Sequence, residues 1–460
     1  MRSKIVYVVI VLLLTVGGLE AQIVTLTVEQ CRTMAKKNSA AVLNAVLEVD
    51  AAVAQRGEAL AEYFPTVSAM AFGFHALNPM LEIGIQDILG KTQFTNDLQA
   101  AIDRFAPEYG INTKYQTLHH GGMATLTLMQ PIFAGGRIVA GNNLAKLGVE
   151  AARLKRDIAF RTSDEQVDNN FWQVVSLQEK EQSLKFIEQM LDTILRDAES
   201  AVGAGLVAKT DLMQVRLKQS ELRVGQLQLT NGICLAKMNL LNAIDMNYSY
   251  IERGVDTIPF IDNIVFDGSL ADLLPPTSYY KPEEEIAANL EEMQLLDLSV
   301  KAQQLQRRMV LGEALPQLAL GANYGYSNLM DKGSWNGAIY AVLQVPITDW
   351  GKKTRAIQRL DRKIEMAEND REYLQQQVLL QIRQLWLNLS SSWQQMVVSR
   401  EARDLAQTSV DESRAYYRSG MISISELLQA QSALTTANET YINQAINYTT
   451  ALNSYLSRIK

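Results

Sequence analysis

The chain has 460 residues, a formal net charge of −7, and only three histidines and two cysteines. That length supports a sizeable core or more than one domain. The acidic balance excludes the broad basic surface that nucleic-acid binding requires.

Arg2 and Lys4 precede an apolar run from Ile5 to Val16, and Gly17, Gly18 and Ala21 follow. This is the layout of a secretory signal peptide occupying residues 1–21. No later run reaches the ~18 apolar residues of a helical membrane span, so an exported chain of this kind would cross a membrane only with strands. Cys31 and Cys234 are lone thiols at helical positions, expected to be buried and unpaired.

Thr27 to Glu58 reads as one helix, with Leu43, Val46, Leu47, Val49 and Val53 at helical spacing and a capping box from Thr27 to Gln30. It stops before Phe64-Pro65, where a strand is expected, with a bulge switching register because Val67, Ala69 and Ala71 compete with the bulkier Met70, Phe72 and Phe74 for one face. A long polar loop follows from Leu77 to about Gly121. Leu126 and Leu128 then alternate with Thr125 and Thr127 in a second strand ending at Pro131.

The ten prolines leave 137–257 and 347–460 free, and both stretches are rich in Leu, Gln, Glu, Ala and Arg. From Gly136 to Gly203 a helix would span about 100 Å and return for about 60 Å from Leu206 to Ile244. Glycine suits the turns at Gly205 and Gly420 because a helix end often needs a positive φ there. Between the proline-free stretches, 248–281 reads as a connecting segment, and Glu283 to Glu313 as a helix opened by Pro282 and closed by Pro316. Leu318, Leu320, Ala322, Tyr324 and Tyr326 alternate in a third strand; Ile339, Ala341, Leu343 and Val345 mark a fourth after a short loop, Asn328 to Trp335.

The second half repeats the first. GLVAKTDLMQ (Gly205 to Gln214) returns as GMISISELLQ (Gly420 to Gln429) at an offset of 215, and QPIFAGGR (Gln130 to Arg137) meets VPITDWGK (Val345 to Lys352) in the same register. Asn38 and Pro65 fall on Asn289 and Pro316 at an offset of 251, so the first half carries 36 extra residues between its two strands. The repeats span 22–247 and 282–460. Each supplies one β-hairpin of strands about ten residues long, enough to cross an outer membrane when tilted. Four strands cannot close a barrel, whereas three copies give twelve.

With NSAAVLNA (Asn38 to Ala45), EYFPTVS (Glu62 to Ser68), the two glycine-containing strand ends and the paired turns, the chain resembles the TolC family of outer-membrane efflux and export channels. The resemblance implies an α+β membrane protein in which duplicated helical hairpins form an α-barrel and two β-hairpins per chain build a trimeric twelve-stranded β-barrel. It further implies a homotrimer in the outer membrane of a Gram-negative bacterium, in contact with its lipid. Its partners would be a periplasmic adaptor, or membrane fusion protein, and an inner-membrane pump of RND, ABC or MFS type, for efflux or type I secretion. Carried over, the adaptor-docking residues are Gly205, Leu206, Val207, Thr210 and Asp211 with Gly420, Met421, Ile422, Ser425 and Glu426. The periplasmic gate falls on Tyr417, Glu426 and Gln429; the last is often acidic in relatives, so a double acidic ring is not expected. Asp211 and Glu426 also suit the first turn of a helix through its dipole.

No nucleophile, base and orienting group occur together, Gly135-Gly136 lacks phosphate-loop spacing, and no enzyme, cofactor or metal site is expected. His119-His120 reads as ordinary loop. A soluble periplasmic coiled-coil scaffold or adaptor is the alternative, for which the helices alone would serve. The four alternating strands favour the channel.

Overall fold

The computed structural model describes residues 24–110, 114–205, 207–246, 261, 264–270, 273–328 and 333–459. The expected signal peptide, Leu206 and much of the connecting segment lie outside the described residues.

Strand β1 (Val24–Thr27) leads into α1 (Val28–Asn38) through Thr27, which forms the expected capping box with Gln30. The helix expected to continue to Glu58 breaks at Ser39, whose backbone is extended, and α2 (Ala40–Ala61) resumes after it. Serine competes for backbone hydrogen bonds in a helix interior and favours such breaks. Strand β2 (Thr66–His75) follows. The stretch expected to be a polar loop instead folds, as β3 (Leu81–Ile83), α3 (Ile85–Leu89), α4 (Gln93–Phe105) and β4 (Tyr115–Thr117), with β3 paired to β4. Thr92 caps α4, and Gln99 reaches back from it to the Ile85 amide at 2.9 Å, so the insertion carries its own polar scaffold.

Strand β5 (His120–Ala134) ends at Gly135 and Gly136, both left-handed, and α5 (Arg137–Gly203) begins. Helix α6 (Lys209–Ala243) returns. Strand β6 (Ile264–Asp267) pairs in parallel with β1, a contact the sequence patterns do not announce. Helices α7 (Glu283–Asn289) and α8 (Glu291–Glu313) replace the single helix expected there. The break at Leu290 lies 251 residues beyond the one at Ser39 and turns the Leu290 side chain into a core, where it is buried. Strands β7 (Gln317–Ser327) and β8 (Ser334–Gln344) then form the second hairpin. Helices α9 (Lys352–Arg418) and α10 (Ile424–Ile459) form the second long pair; α5 and α9 each have 67 residues.

These elements fall into two compact units. One comprises Met1–Asp50, Ala151–Asp297 and Asp370–Lys460. Its buried side chains form three clusters, two of them built from equivalent positions of the repeat. Val167, Val174 and Leu240 with Ala35 centre one; Ile382, Leu389 and Tyr455 with Ile286 centre the other. Cys31 is fully buried in the first, and burial pushes its thiol up to about 11. Cys31 and Cys234 are both unpaired, the latter partly buried. Arg32 grips Asp168 with two hydrogen bonds of 2.7 and 2.6 Å. Arg161 spans Glu291 and Glu292, each at 2.5 Å, and Arg458 meets Glu292 at 2.7 Å. These fork-shaped charge pairs fix α1 on α5, and join α5, α8 and α10.

The other unit, Ala51–Glu150 and Leu298–Asn369, holds a four-stranded antiparallel sheet in the order β2-β5-β7-β8. The expected bulge in β2 is not there: its ladder with β5 runs unbroken from Thr66↔Met129 to His75↔His120. The register shift sits on β5 instead, between Pro131 and Phe133, because proline has no N–H to give the ladder.

Candidate functional site

The sheet is the first functional element, and its register sorts the side chains. Val67, Leu128, Ala322 and Ile339 lie in one cross-strand row, Ala69, Leu126, Tyr324 and Gly337 in another. With Leu320, Ala341 and Leu343 they make one face almost wholly apolar. The opposite face mixes Ser68, Thr125, Thr127 and Asn323 with Met70 and Phe72. The apolar face is uncovered: Ile339 is 88% and Leu343 65% exposed, and all of β2 is exposed except Phe74, which is partly so. Towards the hairpin end Trp335 stacks on Tyr324 and tilts on Tyr326 at 5.5 and 5.6 Å. At the helix end Phe64, Phe133 and Trp350 are exposed. An apolar band between two aromatic girdles is how a strand sheet meets a bilayer. Among the described residues no helix is long and apolar enough to cross a membrane.

Both outer strands, β2 and β8, have one unpaired edge. In hydrocarbon, each free N–H or C=O on such an edge would cost on the order of several kcal/mol. The helices carry a matching signal. On α9 Met366, Tyr373, Leu380 and Leu387 recur every seven residues, and all are exposed; on α6 Met213, Leu217, Val224 and Leu227 form a second uncovered stripe. Apolar heptads are seams for another helix.

The second element is the pair of helical turns. At the end of α9 the Met421 N–H reaches the Tyr416 carbonyl at 2.9 Å and the Gly420 N–H reaches Tyr417 at 3.0 Å, a Schellman motif with Gly420 at φ 76°. Gly205 matches it with φ 72° and a 3.0 Å bond to Val202. The helix starts differ. Ser423 and Glu426 cap α10 reciprocally: the Glu426 carboxylate accepts from the Ser423 N–H at 2.8 Å, and the Glu426 N–H donates to the Ser423 hydroxyl at 3.3 Å. The equivalent Ala208 gives α6 no side-chain cap.

The two turns pack together through Ile187, Leu191 and Val215 with Val410, Ile424 and Leu427. Arg418 ties them by donating twice to Asp197, both at 3.1 Å. Tyr417 and Ile422 flank this core, and the Tyr417 hydroxyl is buried without a partner among the described residues. Burial, then the charges of Asp211 and Asp197, push the Tyr417 phenol above its usual range. Thr210, Met421, Ser425 and Glu426 are exposed, whereas Val207, Asp211 and Ile422 are partly buried. Gln429 is exposed and lines a shallow groove with Ser399, Ala402 and Ser432. Sequence reasoning missed the Arg418–Asp197 tie, which no pattern signals, and the Ser423 cap, which the Ser-x-x-Glu spacing does signal.

Long helical pairs, together with a sheet whose edges are open and one of whose faces is bare and apolar, are the parts of a protein that enters a membrane with strands. The chain belongs to the outer membrane efflux protein family, whose model matches residues 32–244 and 284–456. Among solved structures it is similar to the outer membrane protein VceC from Vibrio cholerae, at 14% identity and a TM-score of 0.72, covering 94% of this chain and 95% of that one. It is similar to the CmeC outer membrane channel of Campylobacter jejuni, at 15% identity, a TM-score of 0.69, and 94% and 85% coverage. The open-state MtrE outer membrane channel of Neisseria gonorrhoeae gives 13% identity, a TM-score of 0.65, and 96% and 93% coverage. No curated protein sequence matches significantly. Membership of an outer membrane efflux family sets the soluble scaffold reading aside.

Proposed function

We propose that three copies of the chain close a twelve-stranded barrel, and that the resulting tunnel passes cargo handed over by a periplasmic adaptor and an inner-membrane pump. The observation that carries the trimer is the four-stranded sheet with both edges open and its apolar face bare. The heptad stripe on α9 and the stripe on α6 support it, since a ring of copies would supply each with a neighbour. The adaptor meets the paired turns, Gly205 to Asp211 and Gly420 to Glu426, where exposed side chains surround a shared apolar core. The gate lies there too, with Glu426 facing the lumen in three copies, Tyr417 in the closing network, and Gln429 one helical turn on. Three carboxylates around a narrow lumen repel one another and attract cations. The conduit does no chemistry: family members are channels, and the pump selects the cargo.

The native mass of detergent-extracted protein from the outer-membrane fraction tests the assembly. Three chains are expected. A monomer or dimer that stays monodisperse in the same detergent would sink the closed barrel.

A further inference from the structure

All three histidines of the chain, His75, His119 and His120, meet at one place, the base of the insertion between β2 and β5. His75 and His120 are direct cross-strand partners in the last pair of the ladder. The next bond outward joins the Ala76 N–H to the His119 carbonyl at 2.7 Å. In a regular strand residues 119 and 120 would point to opposite faces. Here Leu118 is left-handed, at φ 62°, and the chain bends just before His119. The His119 ring comes to 5.0 Å from His75 and 6.3 Å from His120, centroid to centroid. Its Nδ1 is buried with no hydrogen-bond partner.

We propose that this cluster is a binding site for a divalent transition-metal ion, with His75 and His119 as the primary ligands and His120 as the third. An imidazole nitrogen binds such ions at about 2.0–2.1 Å, which places the ring centroid about 3.2 Å from the metal. Two rings 5.0 Å apart then subtend roughly 103° at a shared ion, close to a tetrahedral angle. Among the described residues no three donors already converge on a point, and the 6.3 Å separation of His120 would require a nearly linear arrangement. Bringing the His120 ring closer takes a change of its χ1 rotamer, which an exposed side chain can make. The neighbouring pair on the same face is Gly73↔Gly122, which adds no side chain of its own, and the Asn328 amide oxygen accepts from the Gly122 N–H beside it.

The register also sets the location. Tyr326 aligns with Ala124 and Ala71, four residues short of His75, or about 13 Å of strand beyond the aromatic girdle. The imidazoles therefore stand outside the hydrocarbon, with His75 and His120 exposed and His119 partly buried. An all-nitrogen set favours Cu²⁺ over Ni²⁺ and Zn²⁺. A bound ion would clamp the return of the insertion onto β2.

The test uses the full mature chain in detergent, without a histidine tag and with Cys234→Ser to remove the partly exposed thiol. It is titrated calorimetrically with Zn²⁺, and with Cu²⁺ under electron paramagnetic resonance. One ion per chain is expected, with nitrogen hyperfine structure on copper. His75→Ala and His119→Ala should each weaken binding by more than the ~10-fold that loss of an outer-shell partner costs. Undiminished binding in both variants, or no saturable binding by the parent protein, would overturn the site. The parent titration decides by itself if a variant fails to assemble, and it does not depend on the transport reading.

Discussion

Gly135→Ala separates two costs that usually arrive together. Gly135 is left-handed at φ 63°, and a Cβ built on it would lie 2.1 Å from the Gly312 carbonyl oxygen and 2.8 Å from its carbon. Gly136 is left-handed too, at φ 79°, but a Cβ there meets nothing within 4 Å. Both alanines would incur about 1–2 kcal/mol for the backbone conformation. Only Gly135→Ala would also force two backbones apart, and no rotamer change relieves a clash with main chain, so another ~1–3 kcal/mol applies. Gly312→Ala provides the reciprocal case, since its Cβ would lie 2.6 Å from the Gly135 oxygen without a left-handed φ to maintain. The expected order of destabilisation is Gly135→Ala first, at roughly 2–5 kcal/mol, with Gly136→Ala and Gly312→Ala behind it. The double variant of Gly135 and Gly312 should cost less than the sum, because one contact is lost once. Denaturant unfolding of the detergent-solubilised channel at fixed protein concentration, followed by tryptophan fluorescence, measures this. Gly136→Ala as damaging as Gly135→Ala would refute the role given to the Gly312 contact.

Glu426→Gln keeps an acceptor for the Ser423 amide while removing the charge, so α10 should stay capped and only the pore's preference for cations over anions should fall. Reversal potentials across a planar bilayer report it, and unchanged selectivity removes Glu426 from the gate. Ser423→Ala deletes the hydroxyl from the same box and should cost about 1 kcal/mol, read as faster amide exchange in the first turn of α10 and not in α6. Cys31 should resist maleimide at pH 8 while Cys234 reacts, because burial holds the Cys31 thiol near 11, well above the labelling pH. For the same reason the Cys31 contribution to stability is full below the ordinary thiol range and is lost as pH rises towards 11. Equal labelling of both thiols in the native protein would contradict its burial.

The long helices, the four strands and the glycine turns were all legible, because each rests on a period or a punctuation mark repeated twice in the chain. The breaks at Ser39 and Leu290 were half legible: Asn38 and Asn289 marked equivalent places, but the apolar period runs through both and masks the interruption. What the patterns missed was short or non-local. Strand β1 has four residues and finds β6 some 240 positions away, so no local alternation could reveal it. The insertion read as loop because its strands are three residues long and its longest helix has thirteen. The register shift falls on β5 and not on β2 because the missing N–H of Pro131 outweighs the side-chain bulk of Met70, Phe72 and Phe74. At the turns, spacing names the residues but not their surroundings: Ser-x-x-Glu signals the engagement of Glu426 with Ser423, whereas the Arg418–Asp197 tie emerges only from coordinates.

Helices α5 and α9 have the same length, 67 residues, while the hairpins beyond them differ by tens of residues. A single residue inserted into one helix alone would lower its turn by about 1.5 Å and swing every later side chain by about 100°. The Arg418–Asp197 tie and the shared core of Ile187, Val215, Ile424 and Leu427 would then fall out of step. Length changes in the long helices are therefore tolerable only in matched pairs or in multiples that restore the seam. The segments joining β2 to β5 and β7 to β8 face no such bookkeeping. Drift in chain length should accumulate there and be purged from α5 and α9, which makes the strand connections the place to graft new sequence into this chain.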